Sequence, residues 1–198
     1  MKKTLLLLAV LISAAVGVNA QDYTPTTAIS AGFSVGATVG PHQGEFPVAT
    51  GVHLKLEIPI ADQVSFMGTV GYTGYISGNG YSTGYDSYGG SYSSGDLVNF
   101  IPVTAGIRYY AVNKLFVQGD VGASFNLNSD NVYTAKKAAL LVSPSVGYAV
   151  TFGSTKYGLD LSLAYDARFE STGDINSAGY HVGSYNSVVF RLAFRYGL

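Results

Sequence analysis

Eight times along this chain, apolar side chains recur at every second residue, and the charged residues within those runs fall at the alternate positions. In the first run Ile29, Ala31, Phe33, Val35, Ala37 and Val39 alternate with Ser30, Gly32, Ser34, Gly36 and Thr38. The second, 48–60, sets Leu54, Leu56 and Ile58 against His53, Lys55 and Glu57. The others lie at about 64–76, 97–110, 115–127, 140–152, 159–170 and 187–198. Ten charged residues fall inside them: Lys55, Glu57, Arg108, Asp120, Asp160, Asp166, Arg168, Glu170, Arg191 and Arg195. All ten share a face opposite the apolar set of their own strand, which random parity would produce about once in a thousand.

Such a pattern describes strands that are apolar on one face and polar on the other, and composition decides which face is outside. The chain is 47% apolar and only 12% charged, against about 25% charged in an ordinary soluble domain. The runs also exceed the five or six residues usual in soluble sheets and reach the 9–11 that a tilted membrane strand needs. A soluble sandwich or lipocalin-like barrel would alternate too, but with its polar face outward. The expected fold is therefore an all-β, eight-stranded antiparallel up-and-down transmembrane β-barrel, with the ten charges forming a network in its interior.

Connection lengths suit that topology. Residues 61–63, 111–114 and 153–156 are short links, whereas 41–47, 77–96, 128–138 and 171–184 are long. Short turns on one side and long loops on the other place the loops outside the cell and, with an even strand count, both termini in the periplasm. Phe66, Tyr109, Phe152 and Tyr196 then fall near one rim, and Phe125 and Phe169 near the other, as an aromatic belt would. Pro59, Pro102 and Pro144 lack an N–H for the ladder. Pro59 is near a turn, while Pro102 and Pro144 are expected to mark bulges or strand starts.

Residues 1–20 carry Lys2 and Lys3, an uncharged apolar run from Leu5 to Val18, and small residues at Val18-Asn19-Ala20. That is the layout of a signal peptide cleaved after Ala20, leaving 21–198 as one barrel domain in the outer membrane. There is no cysteine, which removes disulfides, thiolate metal sites and a lipid-modified N-terminal cysteine. Without Lys2 and Lys3 the chain has 9 basic and 12 acidic residues, a formal charge of −3. That balance argues against nucleic acid as a partner.

Chemistry is sparse. His42 and His181 fall in the first and last long loops, where Glu45 or Asp174 could join them at a metal, but no dedicated spacing supports one. Exposed loop histidines are the expectation, with His53 a hydrogen-bonded interior residue. Serines are plentiful, yet no histidine sits on the lipid-facing parity as a base, so neither catalytic residues nor a cofactor is expected. Gly153-Ser154-Thr155-Lys156 lacks the phosphate-loop pattern and suits a turn. The loop over 77–96 is rich in Tyr, Gly and Ser, with Tyr81, Tyr85, Tyr88 and Tyr92 as candidates for contact with an extracellular ligand. The alternative is a mobile low-complexity loop whose tyrosines rest on lipid headgroups or sugar.

The stretch Asn99-Phe100-Ile101-Pro102-Val103-Thr104-Ala105-Gly106-Ile107-Arg108-Tyr109-Tyr110 resembles a recurring segment of OmpA/OmpX-like outer-membrane β-barrel proteins. Leu115 to Leu127 continues the likeness, and Phe190 to Leu198 resembles a barrel-assembly signal, although it finishes on Leu198 with Tyr196 two before it. The resemblance implies partners in outer-membrane lipid, lipopolysaccharide and the barrel-assembly machinery. A fold of this kind does not name an activity. A structural and surface-interaction barrel is one expectation, a narrow channel for ions or small solutes another, and a lipid-modifying enzyme a more distant third. Five positive against five negative inward charges suit pairs crossing a filled lumen better than the one-sign rings of a selective pore.

Overall fold

The computed structural model describes residues 24–40, 42–44, 46–78, 82–85, 91–94, 98–112, 114–127, 137–153, 156–170 and 184–198. Eight long strands follow the eight runs: β1 (Ala28–Val39), β2 (Val48–Ala61), β3 (Val64–Ile76), β6 (Val98–Val112), β7 (Leu115–Asn126), β8 (Ala138–Thr151), β9 (Tyr157–Phe169) and β10 (Asn186–Gly197). Two four-residue strands, β4 (Ser82–Tyr85) and β5 (Ser91–Ser94), form a separate hairpin inside the second long loop, where no strands were expected. The long strands close into an antiparallel barrel in which each pairs with its chain neighbour and β10 returns to β1. Ala28 pairs with Gly197, so both described ends sit at the rim of the short turns.

Closure matters because lipid offers backbone groups no hydrogen bonds, so a sheet can cross a membrane only without edges. The burial pattern is inside-out. Among the described residues, thirty-three large apolar or aromatic side chains are exposed, whereas a soluble monomer rarely exposes a large contiguous apolar surface. Phe33 at 50% and Leu163 at 53% exposure are typical of the wall, whereas Arg108 is fully buried. Phe66, Phe125, Phe152, Phe169 and Tyr196 point outward as expected. The fold is a transmembrane barrel by its own surface.

Pro59 lies beside a turn as expected, but Pro102 and Pro144 behave differently from expectation. Register shifts occur at Pro59/Ala61 and Tyr110/Val112, both beside short turns. Pro102 and Pro144 lie well inside β6 and β8 with no bulge, paired to Ser124 and Gly119 of β7. Each interrupts only its other ladder: Val70↔Val103 and Thr73↔Phe100 flank one gap, Val142↔Ala167 and Ser145↔Ala164 the other. The register is the same on both sides of each gap. A proline's fixed φ is compatible with a strand, so the missing N–H removes bonds on one side without adding a residue.

Candidate functional site

The lumen is where the ten predicted charges meet, and all ten point into it. They do so in three tiers. At the short-turn end Arg108, on β6, is the hub. Its Nε donates to Gln118 Oε1 at 2.8 Å, and one terminal nitrogen reaches Asp160 at 2.8 Å and Glu57 at 3.2 Å. The guanidinium lies 3.9 Å from the Phe116 ring centre. Tyr110 Oη donates to Glu57 Oε1 at 2.8 Å, and Arg195 approaches Glu57 at 3.3 Å. That last contact spans β1, whose neighbours are β10 and β2; the small Ala28 and Ser30 between them let the two long side chains meet.

The middle tier is centred on Arg191, which donates to both Asp166 oxygens at 2.5 and 2.7 Å and to Ser143 Oγ at 3.2 Å. Lys55 and Asp120 also face inward, but neither makes a direct ion pair with a described residue. Asp120 instead accepts from Gln118 Nε2 at 2.7 Å. A cavity of about 50 Å³ lies at this level, lined in part by His53, Thr69, Asp120, Pro102 and Arg191.

At the long-loop end Arg168 pairs with Glu170 and lies 4.3 Å from the Phe100 ring centre. Above them sits an aromatic plug that charge parity did not reveal. Tyr185, just before β10, is fully buried and stacks on His42 with ring centres 4.1 Å apart and planes 6° apart. Tyr75 and Phe100 approach it edge-on or tilted at 5.3 and 5.4 Å, with Phe46 at 6.0 Å. Tyr75 Oη donates to the Tyr185 carbonyl at 3.4 Å. His42 is thus not the exposed loop histidine expected; its ring is buried because the flat face of Tyr185 is there to stack on. Phe100, Tyr110 and Phe116 were legible in one respect, since each large ring shares the parity of the charges.

Among the described residues no group of His, Asp and Glu has the clustering of a metal site. Glu45, Asp174 and His181 lie outside the described residues, as do Tyr81 and Tyr88. Tyr85 and Tyr92 are on the β4–β5 hairpin, where Tyr85 pairs with Ser91 and Tyr92 with Gly84.

No protein-family model matches the chain, and no curated protein sequence does. Several solved structures are similar in shape. The Yersinia pestis outer membrane protein Ail, in a phospholipid bilayer nanodisc, is 12% identical with a TM-score of 0.48, over 87% of this chain and all of that one. AlkL, an outer membrane protein solved in lipid bilayers, is 13% identical with a TM-score of 0.38, over 91% of this chain and 92% of that one. A de novo designed transmembrane β-barrel gives 12% and 0.43 over 90% and 100%. Scores and identities this low add no argument about function.

Proposed function

We propose that this is a closed, non-enzymatic barrel of the bacterial outer membrane, of the OmpA/OmpX kind, which stabilises the membrane and displays loops at the cell surface. The observation that carries the reading is that buried side chains fill both ends of the lumen, the Arg108 cluster at one and the Tyr185–His42 stack at the other. A selective pore wants an open path and rings of one sign; eight strands leave an interior that side chains can fill. The same observation favours this reading over a narrow channel.

Residues 1–20 serve as the export signal, with the layout that a signal peptidase reads. The long loops then face outward, in contact with lipopolysaccharide, and the short turns face the periplasm. The barrel-assembly machinery inserts the chain, guided by the aromatic-rich end from Phe190 to Leu198. No nucleic acid, cofactor or metal enters this scheme. An extracellular ligand would meet the loop over 77–96, with its Tyr81, Tyr85, Tyr88 and Tyr92.

Display separates the loop from the barrel, and this is testable. Replacing 77–96 by a short Gly-Ser turn is expected to leave heat-resistant migration of the folded barrel on gels intact. Loss of that migration would make the loop part of the fold and remove the ground for display.

A further inference from the structure

The middle of the lumen combines a cavity with polar atoms that the protein does not satisfy. His53 Nε2, Thr69 Oγ1 and Asp120 Oδ1 are buried with no protein hydrogen-bond partner, and all three residues line the cavity of about 50 Å³. His53 and Asp120 are each more than nine-tenths buried. Buried donors and acceptors are paired in native proteins, so a ligand that both donates and accepts is called for.

Charge bookkeeping decides its class. Arg108 and Arg195 offset Glu57 and Asp160, Arg191 offsets Asp166, and Arg168 offsets Glu170. Lys55 and Asp120 remain, one of each sign. Lys55 stands opposite Thr69 in the β2–β3 ladder, on the cavity's own side of the barrel. The interior is neutral, so an ion of either sign would leave a net charge in a low-dielectric core. A neutral molecule with two donors and two acceptors would not.

We propose that this cavity is a resident water site, a small cluster that hydrogen-bonds His53, Thr69 and Asp120 and mediates the fifth ion pair, between Asp120 and Lys55. One water needs about 10–15 Å³ of such space, which leaves room for about three or four. Phe116 and Met67 are buried on its turn side, and Tyr75 and Phe100 line it on the loop side beneath the buried Tyr185. The site stands or falls separately from the closed-barrel function. A conducting barrel with water at His53 would refute that function and leave the site in place.

Solid-state NMR of the full chain in lipid bilayers tests it, by following magnetisation transferred from water to side chains. At short mixing times His53 and Thr69 are expected to gain signal severalfold faster than Met67. Build-up at His53 and Thr69 as slow as at Met67 would overturn the proposal. Thr69→Val is near in shape and removes one partner, so it should fold and slow the transfer to His53. Unchanged transfer in that variant would also count against the cluster. Replacing chloride by sulfate should leave the His53 resonances where they are; a shift would identify an anion and overturn the neutral occupant.

Discussion

Arg108→Met is expected to cost about 3–5 kcal/mol of folding stability, the range found when one partner of a buried ion pair is removed. The size follows from what is left behind. Arg108 serves Asp160, Glu57 and Gln118 at once, all buried. Methionine fills much of the volume over Phe116 but strands Asp160 and halves the cationic support of Glu57. Arg195 cannot take over, since it already holds Glu57 and the Thr26 carbonyl. Arg108→Lys should recover only part of the loss, because an ammonium lacks the planar fork that reaches Gln118 and the carboxylates together. Urea titration in lipid vesicles measures both. Neutralising the partners as well, with Glu57→Gln and Asp160→Asn, should return part of the stability to Arg108→Met. A loss below about 1 kcal/mol for Arg108→Met would mean that water already reaches this tier, as it does at an exposed pair.

The lipid wall supplies the second large effect. Leu163 lies at the middle of β9 and is 53% exposed. On a soluble protein an arginine there would change stability by no more than about 0.5 kcal/mol. On a barrel at the bilayer midplane it should cost about 2–4 kcal/mol, falling toward the rims. Phe194→Arg, near the short-turn rim among Tyr157 and Tyr196, should therefore cost less than Leu163→Arg. The same vesicle titration reads the pair. Equal, small losses at both positions would contradict a membrane-facing wall.

Much of this architecture was legible because a strand's side-chain period is two, and parity is a local property. It placed all eight long strands and the inward face of Lys55, Glu57 and the other eight charges. It could not say which charges pair. Arg108 meets Asp160, 52 positions away, across the lumen, and that depends on strand tilt and stagger, which parity does not contain. The burial of His42 was illegible for a related reason: its partner Tyr185 comes from the far end of the chain and meets it only after β10 closes on β1. Pro102 and Pro144 misled in the other direction. A lone missing N–H suggested bulges, but neighbouring ladder pairs hold the register on both sides of each gap. The interior rings of Tyr75, Phe100, Tyr110 and Phe116 were in view in the alternation but gave no sign of meeting as two clusters.

Conductance across a planar lipid bilayer tests the closed lumen most directly. Wild type should be silent or flicker only briefly, because the Arg108 cluster and the Tyr185 plug each block the path. Removing one block at each end, with Arg195→Ala at the turn end and Tyr185→Ala at the loop end, should produce measurable steps. A steady, ohmic wild-type current that those substitutions leave unchanged would contradict the account.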